Sequence, residues 1–185
     1  MDIDLTQKLI DSMGSYPRKR GRYSASELYF ILSGKTTPEE WMKPKSKSVE
    51  ECITMFNGSL IHHAVQEVLS KGYVEEKREW SDFGITIVGK ADYLPGPEDG
   101  VPNSDNIWEL KSSTRLMKKS KPWHDHQVKI YCSLFGKQFG KIFQPIMGKK
   151  SIGLKLIGAV ERDDKWFLEQ VEKLREFNKK VEILW

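Results

Sequence analysis

Apolar positions recur at helical spacing in several stretches of the chain, and each stretch carries its own start and stop signals. Ser48-Val49-Glu50-Glu51 has the Ser-x-x-Glu spacing of a capping box and opens a long helix, about Val49 to Ser70, stopped by Gly72. Along it Ile53, Phe56 or Asn57, Leu60, Ala64 and Val68 fall on one stripe, predicted to be buried. Glu161-Arg162-Asp163-Asp164 caps a last helix with the stripe Phe167, Val171, Leu174, Phe177 or Asn178, and Val181. Pro122 precedes a further helix, roughly Trp123 to Phe135, ended by Gly136. Two shorter helices begin at Ser24-Ala25-Ser26-Glu27, ending near Ser33 and Gly34, and at Thr37-Pro38-Glu39-Glu40. Over residues 1 to 13 the pattern predicts a short amphipathic helix through Ile3, Leu5, Leu9, Ile10 and Met13, ended by Gly14.

Between these helices the period shortens to that of strands. Residues 73 to 80 alternate weakly, and Ile85 to Tyr93 follows the turn at Ser81-Asp82-Phe83-Gly84. Pro95 to Asn103 is dense in turn formers, and the stretch from about Asn106 to Ser112 reads as the central strand. Phe143 to Met147 and Ile152 to Val160 are two more strands around Gly148-Lys149-Lys150-Ser151. Helices first, then a sheet interrupted by a helix, then a closing helix describe a single α/β domain over residues 1–185. The central strand places Glu109 and Lys111 on one face and turns Trp108 and Leu110 to the other, into a core. An acid and an amine are costly to bury there unless they form a salt bridge or have a chemical task.

Composition narrows the picture modestly. The 185 residues are 38% hydrophobic and 30% charged, with net charge +4 and pI near 8.9, which permits an anionic partner without requiring one. Cys52 and Cys132 lie far apart and make no CxxC pair, so this chain alone offers no four-cysteine zinc or iron–sulfur site. Two free thiols, no apolar run near ~18 residues and no signal-peptide start at Met1-Asp2-Ile3-Asp4 predict a cytoplasmic protein with no membrane span. The basic runs Arg18 to Arg22, Arg115 to Lys121 (Arg115, Lys118, Lys119, Lys121) and Lys137 to Lys141 are either solvated surface or a track for a phosphate backbone.

Chemistry concentrates around the central strand. Asp92 ends one apolar run and Glu109 lies in the next, giving hard oxygen ligands suited to Mg²⁺ or Mn²⁺, with the Leu110 carbonyl as another. Lys111 could orient or help deprotonate an attacking water, or neutralise developing charge, so the set suits phosphodiester hydrolysis by direct water attack. His62, one turn from Gly58 on the long helix, reads as either a structural histidine or a ligand. Gln127 and Tyr131, four apart, share a face of their helix and by themselves read as a surface pair. No phosphate-cradling glycine loop or serine–histidine–acid pattern competes.

Four segments match one family in order: Gly58-Ser59-Leu60-Ile61-His62, Gly89-Lys90-Ala91-Asp92, Trp108-Glu109-Leu110-Lys111 and Gln127-Val128-Lys129-Ile130-Tyr131. Together they resemble the PD-(D/E)xK nuclease superfamily, and within it the RecB-like exonuclease branch, over roughly residues 24 to 165. The resemblance implies a restriction-endonuclease-like core, a mixed central β-sheet flanked by helices. Residues 1–47 would be a helical, basic N-terminal part, 48–165 the catalytic core and 166–185 the closing helix. It implies His62, Asp92, Glu109 and the Leu110 carbonyl as ligands of Mg²⁺ or Mn²⁺, and Lys111 as the catalytic lysine. Gln127 and Tyr131 would lie beside the active site and help hold DNA, with Trp123 or Tyr131 available to stack on a base. The Ser24-Ala25-Ser26 entry is similar to CRISPR-associated RecB-like exonucleases, but the cysteines of their iron–sulfur cluster are missing, so no cluster is expected. The implied activity is a metal-dependent DNA exonuclease of recombination, repair or phage- or CRISPR-type DNA processing, in the cytoplasm of a prokaryotic cell or phage-infected host. A structure- or site-directed endonuclease and a non-catalytic nucleic-acid-binding protein are the alternatives. Linear DNA, single- or double-stranded, is the expected partner, and self-association or a processing protein is a further one.

Overall fold

The capping boxes act where the sequence places them. A computed structural model describes residues 8, 15–16, 18–69, 73–96, 104–113, 115–148 and 151–185. Helix α1 spans Ala25–Leu32, with the Ser24 N–H donating to the Glu27 carboxylate at 2.8 Å. Helix α2 spans Pro38–Met42 and α3 spans Val49–Val68. At α3 the exchange is reciprocal: the Ser48 N–H donates to Glu51 at 2.8 Å, and the Glu51 N–H donates to the Ser48 hydroxyl at 3.2 Å. Helix α4 spans Pro122–Phe135 and stops at Gly136, whose φ of 65° is one that glycine adopts without strain. Helix α5 spans Asp164–Leu184, capped by Asp163 accepting from the Trp166 N–H at 2.9 Å. The helix expected over residues 1 to 13 lies outside the described residues, Lys8 apart.

The strands, in chain order, are β1 Ser15–Tyr16, β2 Arg22–Ser24, β3 Lys45–Ser46, β4 Tyr73–Val74, β5 Lys77–Asp82, β6 Ile85–Lys90, β7 Tyr93–Leu94, β8 Asn106–Leu110, β9 Phe139–Met147 and β10 Ile152–Glu161. They form a mixed five-stranded sheet in the order β10-β9-β8-β7-β4, a mixed three-stranded sheet β2-β6-β5, and the antiparallel pair β1-β3. In the larger sheet β8 pairs in parallel with β9 and antiparallel with β7. In the smaller one β2 runs parallel to β6. Mixed sheets flanked by helices are the expected restriction-endonuclease-like α/β arrangement.

Helix α4 is the hub, packed on β8, β9 and β10, on β5 and β6, and against α1 and α5. Its Val128, Ile130, Cys132 and Phe135 join Ile87, Ile107, Ile142 and Leu28 in the main core. The α5 stripe Phe167, Val171, Leu174, Phe177, Asn178 and Val181 is buried as its period predicts, and Asn178 accepts from the Tyr23 hydroxyl at 2.7 Å.

Three expectations are corrected. The strand read from Ile85 to Tyr93 breaks at Ala91–Asp92, which frees Asp92 from the ladder of β6. Strand β9 begins at Phe139, so the basic segment Lys137 to Lys141 is partly strand, paired across β8 and β10. The α3 stripe is not buried: Ile53 is 43% exposed, Phe56 44%, Leu60 53% and Val68 79%. Helix α3 faces the body of the protein through Cys52, Val65 and Gln66 instead, the side that carries Gly58 and His62. At Gly58 a Cβ would stand 2.7 Å from the Ser112 hydroxyl, so the helix comes this close because the residue is glycine.

Candidate active site

Strand β8 is buried on both faces, with Ile107 and Leu110 at 0% exposure, and Glu109 at 3% shares the Ile107 side toward the main core. Trp108, expected to point into the core, is only half-buried and lies between Tyr93 and Phe143, with ring centroids 5.4 and 4.9 Å away. The acid–amine pair therefore faces α4 and the larger apolar cluster. Buried apolar walls raise the stakes of every polar contact made there.

Glu109 Oε1 accepts from Lys111 Nζ at 2.5 Å and from Gln127 Nε2 at 3.1 Å. Gln127 Oε1 in turn accepts from Lys111 Nζ at 3.0 Å, and Gln127 Nε2 also donates to the Tyr131 hydroxyl at 2.7 Å. One amide thus fixes the acid, the amine and the phenol. Asp92, one residue past the break after β6, accepts from the Leu110 N–H at 2.7 Å through Oδ2, while its Oδ1 lies 3.7 Å from His62 Nδ1. Two polar atoms of this group are buried without a partner among the described residues, Glu109 Oε2 and His62 Nε2. Burial drives the Glu109 carboxyl well above the usual carboxylate range, and the charge of Asp92 adds to this while Lys111 opposes it. The Tyr131 phenol is likewise held high, first by burial and then by Glu109.

The structure brings His62, Asp92, Glu109, Leu110, Lys111, Gln127 and Tyr131 together from α3, the β6 end, β8 and α4. Gln127 and Tyr131 are not a surface pair. Tyr131 is 5% exposed, with its ring against the position where Gly89 lacks a side chain, and it has little surface to offer a base. Trp123 is half-buried beside Tyr29 and Phe30, with Lys121 Nζ 4.8 Å above its ring.

The basic runs divide. Arg115, Lys118, Lys119 and Lys121 are exposed, and none has an ion-pair partner among the described residues. In the Arg18 to Arg22 run the three arginines meet acids: Arg18 pairs with Glu27 and lies over Trp41, Arg20 reaches Glu182 at 3.9 Å, and Arg22 pairs with Glu79 at 2.5 Å, while Lys19 is exposed. Lys137 donates to the Ser104 carbonyl at 2.8 Å.

Two buried glutamines escaped sequence reasoning. Gln66, on α3 one turn beyond His62, donates to the Asp92 carbonyl at 2.9 Å. Gln144, on β9, accepts from the Met117 N–H at 2.8 Å and donates to the Arg115 carbonyl at 2.8 Å, so it holds the loop that presents the free basic groups. A glutamine at an inward position of its helix (Gln66) or strand (Gln144) was the available signal, and it is too weak to stand out.

Comparison with known proteins adds the fold class. No protein-family model matches the sequence, and no curated protein matches it either. Solved structures do. LHK-Exo in complex with dAMP is 14% identical, with a TM-score of 0.62 over 88% of this chain and 89% of that one. An alkaline exonuclease (LHK-Exo) from Laribacter hongkongensis is 13% identical, with a TM-score of 0.56 over 96% and 93%. SSO0001 is 17% identical, with a TM-score of 0.57 over 91% and 82%. The chain has the restriction-endonuclease-like nuclease fold of the LHK-Exo structures.

Proposed function

We propose that this chain is a divalent-metal-dependent deoxyribonuclease that degrades linear DNA from an end. The observation that carries the reading is Glu109: a buried carboxylate with one oxygen bonded by Lys111 and Gln127 and the other without a partner, beside Asp92. Leaving a carboxylate oxygen buried and unpaired is costly unless something binds there. The donor set fits a hard cation, held by Asp92, Glu109, the Leu110 carbonyl and His62. Among the described residues no three His, Cys, Asp or Glu side chains already close on one point as a cage. Open coordination completed by water and phosphate oxygens is what Mg²⁺ ordinarily takes. A bound Mg²⁺ or Mn²⁺ supplies Lewis-acid polarisation of a phosphate and acidifies water.

The chain's own residues do the rest. Lys111 has three donor positions on Nζ, of which Glu109 and Gln127 take two. The third is left for an attacking water or the phosphate, where the amine neutralises charge that builds in the transition state. Asp92 is oriented by the Leu110 N–H and, through its backbone, by Gln66. The exposed Arg115, Lys118, Lys119 and Lys121 track the phosphate backbone. End-directed cleavage draws support from LHK-Exo, an alkaline exonuclease of similar fold whose complex with dAMP holds the form in which a nucleotide would leave. Among the described residues no helix is long and apolar enough to cross a membrane.

The test uses end-labelled single- and double-stranded linear DNA and closed circular DNA, each with Mg²⁺, Mn²⁺ or EDTA. Linear DNA is expected to be cut and circles spared, with activity lost in EDTA and in Lys111→Ala. Nicking of circles would make the protein an endonuclease of the same fold. Binding without cleavage in any divalent metal would make it a nucleic-acid-binding protein.

A further inference from the structure

His124 lies on the stripe of α4 that faces the site, and the reaction proposed above leaves it unused. At 100° per residue, His124, Gln127 and Tyr131 fall within about 60° of one another around the helix. Gln127 bonds Glu109 and Lys111. His124 stands about 4.5 Å nearer the N-terminal end of α4, between Gln127 and the exposed Lys121. Its ring is half-buried.

The two ring nitrogens have different tasks. Nδ1 accepts from the Lys121 N–H at 3.4 Å, a bond from the third helical residue back to the residue that caps α4. A nitrogen that accepts carries no proton, so in the neutral ring the proton sits on Nε2, which is then a donor. Among the described residues the His124 side chain has no other hydrogen bond. The ring is also held neutral: burial first, then the charges of Lys111 and Lys121, bring its pKa down to about 4. Lys111 acts on it more strongly than Lys121, the nearer residue in the chain, so the ring is turned toward the site. A neutral donor beside two ammonium groups adds no repulsion to them, and an anionic oxygen is the acceptor that suits all three.

We propose that His124 binds the DNA phosphate next to the one cleaved, donating from Nε2 to a non-bridging oxygen where the strand passes from Lys111 toward Lys118, Lys119 and Lys121. This assignment rests on the nuclease reading and deepens it. His124 holds substrate and transfers no proton, because the ring is already neutral and its Nδ1 is occupied. The contact is made alike in the bound substrate and in the transition state, so it sets KM rather than kcat.

The test pairs a protein change with a substrate change. Linear DNA carries one methylphosphonate, in which a methyl group replaces a non-bridging oxygen, at the second internucleotide phosphate from either end, and release of the first nucleotide is followed. His124→Ala is expected to raise KM about tenfold on unmodified DNA, with kcat within about threefold. His124→Gln should restore KM, since its carbonyl can take the Lys121 N–H while its amide donates to the phosphate. Placed at the contacted phosphate, the methylphosphonate should weaken the native protein about tenfold more than it weakens His124→Ala. Additive losses at both ends, or a loss confined to kcat, would leave His124 as a helix cap only and overturn the proposal. If the native chain binds linear DNA without cutting it in Mg²⁺ or Mn²⁺, the nuclease reading fails and the same cycle, read in Kd, still decides whether His124 meets a phosphate. Absence of both binding and cleavage would overturn both readings.

Discussion

Under the proposed function, replacing Gln127 by Leu separates positioning of the Glu109–Lys111 pair from direct contact with DNA. The substitution keeps roughly the same volume and deletes three bonds: to Glu109 Oε1 at 3.1 Å, to Lys111 Nζ at 3.0 Å and to the Tyr131 hydroxyl at 2.7 Å. Two of these involve ionisable partners, where a bond contributes about 1.5–3 kcal/mol. Lys111 keeps Glu109 but loses its second anchor, so the transition state forfeits about one such bond, or roughly 10–150-fold in kcat. Removing all three destabilises the fold by about 2–4 kcal/mol after the added apolar burial is allowed for, a fall in Tm of roughly 5–15 °C. Steady-state cleavage of a labelled linear duplex reads kcat, and its dependence on substrate concentration reads KM. The loss is expected in kcat, with KM within about threefold. Tyr131→Phe serves as the comparison, because it removes one neutral bond, about 1 kcal/mol, and leaves the Glu109–Gln127–Lys111 triangle whole. If Gln127→Leu raised KM and spared kcat, or if Tyr131→Phe cost as much kcat, Gln127 would be a DNA contact and the positioning argument would fail.

Two other perturbations follow from single residues. Gly58→Ala should lower cleavage, because its Cβ would meet the Ser112 hydroxyl at 2.7 Å, next to Lys111. Adding Ser112→Ala should restore cleavage and leave a helix up to about 1 kcal/mol more stable by propensity, seen as a higher Tm for the double variant than for the native chain. His126 is held near pKa 4, chiefly by burial, with the charges of Lys129 and Lys173 adding to the effect; its ring lies against Trp166 and Tyr29. The unfolded chain then takes up this proton near pH 6.5 and the native one only near pH 4, so stability falls as pH drops through that window, by at most about 3 kcal/mol and less after solvent screening. Denaturant unfolding should show His126→Phe losing less stability than the native chain between pH 6.5 and 4; equal losses would remove His126 as the cause.

What could be read from the sequence was whatever a local rule decides. Capping boxes fix helix starts through bonds made within four residues, so Ser24, Thr37 and Ser48 each open a helix on schedule. Period two on β8 likewise sets Glu109 and Lys111 on one side. The candidate-site residues could be picked out because their spacing resembles a known order of elements, which supplies the long-range proximity that no local rule contains. Their partners were not. That Gln127 bonds Glu109, Lys111 and Tyr131 at once depends on α4 crossing β8, a contact between residues 16 to 18 apart in the chain. Gln66 and Gln144 act through backbone carbonyls and N–H groups, and a sequence does not show which carbonyl will come within reach.

The basic runs and the α3 stripe show a different limit. Arg18, Arg20 and Arg22 look like a phosphate track until the fold brings Glu27, Glu182 and Glu79 to them, two of those acids from more than 50 positions away. Arg115, Lys118 and Lys119 are as basic and meet no acid among the described residues, so only the fold separates a spent charge from a free one. Helical period has the same blindness. It shows that Val49, Ile53, Phe56 and Leu60 share a face, but not whether that face meets the core. In α5 the equivalent stripe is buried against the core, whereas α3 turns a mixed face inward because Gly58, His62 and Gln66 must reach Ser112 and Asp92. The apolar face of α3 was displaced from the interior by the polar one that reaches Ser112 and Asp92.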